Sequence, residues 1–183
     1  MDNDHEWPDF DSKGPFMSKI SKTPAAKKTA TSKKTASPKP DWWANGVRFE
    51  CQGSGRCCVS RDQYGFVYMT PADRRRMAKV LKLSTAEFTR TYCGKTDGIF
   101  HLKDGVGPEC LFLKDNRCSV YEGRPAQCRT WPFWPEVMSA KTWSKEVAAY
   151  CPGVGKGRLI PAEEIKAAMA EQEKSEEDLA RKR

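Results

Sequence analysis

Residues 51–58 read CQGSGRCC, and this stretch decides how the chain folds. A disulfide between neighbouring cysteines closes a ring that strains the peptide between them, so Cys57 and Cys58 each need a partner elsewhere. The chain holds eight cysteines, and the partner is either another sulfur or a metal. The compartment separates the two. The N-terminal stretch MDNDHEWPDFDSKGPF is acidic and lacks the apolar centre of a signal peptide. The first forty residues carry no arginine, which argues against a mitochondrial leader, and no apolar run is long enough to span a bilayer. These features predict a cytoplasmic protein with no membrane contact. In a reducing cytoplasm, clustered cysteines bind metal or act in catalysis more often than they pair.

The 183 residues fit one domain with tails better than two domains. Residues 1–40 are expected to form a disordered tail, acidic over 1–12 and lysine-rich over 13–40. The segment 18–40, SKISKTPAAKKTATSKKTASPKP, offers only Ile20 to a core and cannot offset its own ordering entropy. A solvated leader is the simpler reading of that tail; weak nucleic-acid contact through its lysines, screening phosphates without reading sequence, is the alternative. Removing the tails leaves residues 46–160 with an excess of eight positive charges. That excess has a local explanation, because Arg56, Arg61, Arg117 and Arg129 each lie next to or near a cysteine. Four thiolates around a divalent ion leave a net charge of −2, which needs balancing wherever it is partly buried.

The domain itself is expected to span 41–160, followed by a charged helix over 161–183 with few apolar positions for packing. GFVYM (65–69) reads as a short strand, and Thr70-Pro71 caps a helix that buries Met77, Val80 and Leu81. Ser84 to Glu87 has capping-box spacing and opens a second helix through Phe88 and Tyr92. IFHL (99–102), ECLFL (109–113) and CSVY (118–121) suggest strands joined by tight turns, and VMSAKTWSKEVAAY (137–150) a longer helix. The expected fold class is a small α+β, loop-rich, metal-stabilised cysteine-cluster domain with a disordered N-terminal tail. A core this small needs help beyond apolar burial, and a bound metal is the usual intracellular help.

Gly53 and Gly55 clear side chains from the loop between Cys51 and Cys57, which lets backbone close over an ion. Cys110 and Cys118 bracket LFLKDNR, Cys128 follows Arg124-Pro125, and Cys151 precedes Pro152-Gly153. No C-x2-C knuckle of the common structural zinc sites occurs. Of two histidines, His101 reads as a satisfied strand residue. Thiolate-only ligation suits zinc or an iron–sulfur cluster. CPGVGKGR is not a phosphate loop: a Walker pattern needs glycine where Tyr150 stands and Ser or Thr where Gly157 stands. A turn ending the preceding helix fits it better. No hydrolase, zincin or dinucleotide motif is present, so no catalytic role is assigned.

CQGSGRCC, ECLFL and CSVYEGRPAQCRTWPFWP, in that order, resemble the YkgJ-type cysteine-cluster family, a zinc- or iron-chelating domain. Its elements fall on Cys51, Cys57-Cys58, Cys110, Cys118 to Tyr121, and Arg124 to Pro132, and the resemblance covers residues 46–155. It implies a metal partner, zinc or iron as a single ion or a cluster, held by Cys51, Cys57, Cys58, Cys110, Cys118, Cys128 and Cys151. Cys151 fits a common extension of the pattern, while Cys93 has no place in it and is the weakest candidate. The block is also similar to part of flagellin lysine methylases, which makes an iron–sulfur oxidoreductase or a methyl-transfer accessory the alternative function.

Overall fold

The computed structural model describes residues 40–59, 66–105 and 107–181. The acidic and lysine-rich stretches of the expected tail, and Arg61, lie outside the described residues. Helix α1 (Pro71–Val80) begins as its sequence dictates: Thr70 Oγ1 accepts from the Asp73 N–H at 3.1 Å, and Asp73 returns the bond to the Thr70 backbone. Met77 is fully buried, but Val80, the last residue of α1, is 39% exposed. Helix α2 (Thr85–Tyr92) is capped by Ser84, whose hydroxyl accepts from the Glu87 N–H at 3.1 Å, and it buries Phe88. The expected strand at 65–69 is not extended ladder; Tyr68 makes one isolated bridge to His101.

Among the described residues sheet structure is sparse, with three two-stranded ribbons. Strand β1 (Val47–Phe49) pairs antiparallel with the late strand β6 (Val154–Ile160), which the sequence reading took as a turn. Strand β2 (Cys93–Thr96) pairs with β3 (Ile99–Leu102), so the IFHL strand is present and its partner is the stretch holding Cys93. Strands β4 (Leu113–Lys114) and β5 (Arg117–Cys118) close a short hairpin. ECLFL and CSVY are mostly turns around that hairpin, not the full strands expected. The helical stub α3 (Ala126–Thr130) carries Cys128. The helix expected over 137–150 forms in pieces: α4 (Ala140–Thr142), a π turn (Trp143–Val147) and α5 (Ala148–Tyr150).

Helix α6 (Ala162–Ala180) packs more firmly than its composition suggested. Ile165 is fully buried, and Gln172 accepts from the Thr130 hydroxyl at 3.0 Å, tying α6 to α3. One apolar cluster joins Trp43, Val47, Phe133, Trp143, Ile160 and Ile165; a second joins Met69, Met77, Phe88, Leu102, Phe112 and Val120. Phe133 stacks on Trp143 with centroids 5.8 Å apart, so the aromatic segment after Cys128 is core on this side. Trp43 is buried in that cluster, while Trp42 is partly exposed and donates its indole N–H to the Met138 carbonyl at 2.7 Å.

Asp73 is the polar hub between α1 and α3. It is 1% exposed and accepts from the Thr70 hydroxyl (2.5 Å) and the Ala126 N–H (3.0 Å). Arg129 reaches the same carboxylate at 3.4 Å and is also bound by Glu171 of α6. A buried carboxylate with these partners costs little, whereas partners left without it are buried donors with no acceptor. Asp73→Ala is therefore expected to lower stability by about 3 kcal/mol, read as a fall in the urea midpoint at unchanged slope. A loss under about 1 kcal/mol would mean that the α1–α3 junction is held by apolar contact alone.

Candidate metal centre

The β1–β6 pairing places the two ends of the cysteine series together. Phe49 opposes Val154, and the Glu50 N–H donates to the Gly153 carbonyl at 3.1 Å, so Cys51 and Cys151 leave the ribbon side by side. A side chain at Gly153 would meet the Glu50 carbonyl at 2.4 Å, which explains a glycine directly after Cys151-Pro152. The next loop is pinned from the other end of the domain: Tyr150 donates its hydroxyl to the Arg56 carbonyl, and Arg56 donates to the Tyr150 carbonyl at 3.2 Å.

Cys57 and Cys58 sit in a 3-10 turn (Arg56–Cys58) opened by Gly55, whose φ of 69° is left-handed. A Cβ there would also press within 3.1 Å of the Leu113 side chain, so Gly55 lets the loop settle on the β4–β5 hairpin. From that turn the Cys58 carbonyl accepts the Cys110 N–H at 2.7 Å, and the Cys110 carbonyl accepts the Leu113 N–H at 2.9 Å. Leu113 in turn pairs with Cys118. Short backbone bonds thus chain Cys58, Cys110 and Cys118 together, while α3 supplies Cys128.

The electrostatics report the same gathering. Cys58, Cys110, Cys118, Cys128 and Cys151 each feel the charge of Cys57, and Cys51 acts on Cys118 and Cys151. Cys57 is pulled down, to about 6, chiefly by the hydrogen bond from the Cys58 sulfur 4.0 Å away. Cys58 is pushed up by giving that bond and by burial. Burial is the largest cause that raises Cys110, Cys118, Cys128 and Cys151. The buried Trp131 Nε1 makes no hydrogen bond of ordinary geometry, yet it lies near enough to the Cys151 sulfur to favour its thiolate.

Cys93 stands apart. It belongs to the apolar cluster of Met77 and Phe88, burial raises its pKa, and the charges acting on it are those of Arg74 and Lys103. His101 is satisfied, as expected: Nδ1 donates to the Leu102 carbonyl at 2.8 Å, which leaves Nε2 to accept from the Thr96 hydroxyl at 3.0 Å. Among the described residues, the cation facing the sulfurs is not Arg56, Arg117 or Arg129. Arg129 is taken by Glu171 and Asp73, Arg56 by the Tyr150 carbonyl, and Arg117 lies along Gly53. Arg124 instead favours the thiolates of Cys57, Cys118 and Cys128. Its guanidinium lies 3.5 Å from the Tyr121 ring centroid, and its Nε donates to the Tyr121 carbonyl at 2.9 Å. Adjacency to a cysteine in sequence was the wrong signal; the turn at 121–123 folds Arg124 back over the site.

As positioned, no three described Cys, His, Asp or Glu side chains lie close enough to share one ion. The donor set nonetheless fits a thiophilic metal, since sulfurs from five separate segments converge with a cation beside them. In metal-free protein, alkylation by iodoacetamide should label Cys57 first, with a midpoint near pH 6. Arg124→Gln should slow that labelling at pH 6.5 by moving the midpoint upward. Equal labelling of Cys57 and Cys93 at neutral pH would contradict this picture of the site.

A family profile described as "CxxCxxCC: Putative zinc- or iron-chelating domain" matches residues 50–152, the segment that carries all seven converging cysteines. The curated protein "Uncharacterized protein MJ0661" of Methanocaldococcus jannaschii is 29% identical over 128 residues, covering 66% of this chain and 67% of that protein. No solved structure matches the chain. Among the described residues no helix is long and apolar enough to cross a membrane. With more than half of its length matched by the family profile, the chain belongs to the CxxCxxCC family.

Proposed function

We propose that the protein chelates zinc or iron through thiolates drawn from Cys51, Cys57, Cys58, Cys110, Cys118, Cys128 and Cys151. The observation that carries the reading is the gathering of Cys58, Cys110, Cys118, Cys128 and Cys151 around Cys57 from separate parts of the chain, with Cys51 beside Cys118 and Cys151. Bound metal supplies a positive centre that replaces the thiol protons and staples the loops to the α3 stub. Cys57, whose thiol is pulled down, would offer a sulfur already disposed to be a thiolate, and Arg124 would offset the charge of the thiolates around it. Trp131 borders the same side, with its indole N–H near the Cys151 sulfur. A single tetrahedral ion uses four of seven thiols, so adjacent Cys57 and Cys58 suit a site with two ions or a cluster. A reducing cytoplasm is the setting in which these thiols stay available.

Elemental analysis of protein purified without oxygen tests the reading directly. Cys57→Ser and Cys128→Ser should each lose metal and stability together, while Cys93→Ser keeps its metal. Full retention in the first two, or loss confined to Cys93→Ser, would overturn it. Chelation should also be proton-coupled. Cys58, Cys110, Cys118, Cys128 and Cys151 are raised above the ordinary thiol value, so at neutral pH they carry protons that a metal must displace. Affinity should therefore fall steadily as pH is lowered from 8 to 6, by competition titration with a chromophoric chelator; a flat profile would contradict thiolate ligation. Iron with a visible charge-transfer band would extend the reading to electron or methyl transfer, whereas zinc alone would confine it to a structural or metal-handling role.

A further inference from the structure

A cavity of about 230 Å³ lies away from the sulfurs, between the start of α1, the β2–β3 hairpin and the last turn of α6. Its walls mix two cations with apolar surface: Arg74 and Lys95 beside Met69, Ile99, Phe100 and Leu179. The Arg74 guanidinium carbon lies 4.1 Å from the Phe100 ring centroid, and the Lys95 Nζ lies 5.3 Å from it. Neither cation is in an ion pair among the described residues. Among the described residues Arg74 gives one bond, from Nη1 to the Thr89 hydroxyl at 3.2 Å, and its buried Nε has no acceptor. A guanidinium over an aromatic ring keeps its full charge, and a buried donor without an acceptor costs free energy. Two unpaired cations at one ring therefore call for an anion, and the apolar walls call for a body attached to it.

We propose that this cavity binds a small organic anion, a carboxylate or phosphate carried on an apolar or aromatic group. Arg74 and Lys95 hold the charged end, and Phe100, Ile99, Met69 and Leu179 hold the body. The volume is below the roughly 300–1,000 Å³ of drug-sized sites, so the ligand is a small metabolite and not a chain. Each charge-assisted bond favours an anion over a neutral analogue by on the order of tenfold.

The full-length protein, isotope-labelled, is titrated with benzoate, phenyl phosphate, inorganic phosphate and benzyl alcohol while amide resonances are followed. Benzoate or phenyl phosphate should shift the amides of Lys95, Gly98, Ile99 and Phe100 saturably, and whichever binds tighter identifies the headgroup. Inorganic phosphate should bind more weakly than phenyl phosphate, and benzyl alcohol about tenfold more weakly than benzoate. Lys95→Gln, on the exposed hairpin, and Arg74→Gln should each weaken anion binding by about tenfold and leave metal content unchanged. Benzyl alcohol binding as well as benzoate, undiminished binding in Lys95→Gln, or no saturable shift with either organic anion would overturn the proposal.

Discussion

Sulfur charge is the constraint around which this domain is arranged. Thiols gathered in a half-buried space repel one another as thiolates and are poorly solvated as a group, so most must hold protons or share a cation. The chain meets that constraint unevenly. Cys57 is stabilised as the anion by its neighbour Cys58, and Arg124 adds positive charge beside Cys57, Cys118 and Cys128. Burial and neighbouring thiolates hold Cys58, Cys110 and Cys151 on the protonated side. Such a set is suited to exchanging protons for a divalent ion, and membership of the CxxCxxCC family is consistent with that chemistry.

The scaffold is a set of clamps on loops, with little regular sheet behind it. The β1–β6 ribbon fixes Cys51 and Cys151, the Gly55 turn and its backbone bonds fix Cys57, Cys58 and Cys110, and the β4–β5 hairpin fixes Cys118. Cys128 depends on a longer chain of contacts. Asp73 holds the start of α3 through the Ala126 N–H and holds Arg129 on the next residue after Cys128. Glu171 and Gln172 of α6 then close α3 from its other side. The C-terminal helix, which lies beyond the family segment, thus supports a cysteine inside it.

Local signals were the legible ones. Thr70-Pro71 and Ser84 announced both early helices because capping is a contact between residues three apart. IFHL read as a strand from a short apolar stretch bounded by turn residues, and the cysteine loops from their glycines and turns. The β1–β6 ribbon was not legible. Val47–Phe49 is three residues long, and β6 carries Gly155 and Gly157 with an exposed middle, so only the long-range pairing defines either. The grip of α6 escaped for a related reason: it rests on Ile165 and on polar partners of α3, which an apolar count overlooks. Arg124 escaped because where a side chain points depends on the turn at Tyr121, not on distance along the chain.

The central claim, that converging thiolates are the metal's ligands, is tested most directly by X-ray absorption at the zinc and iron edges of protein loaded with each metal. The account predicts an all-sulfur first shell, for zinc at about 2.3 Å, in every bound ion. A first shell dominated by nitrogen or oxygen, or metal absent from protein whose thiols are fully reduced, would contradict it.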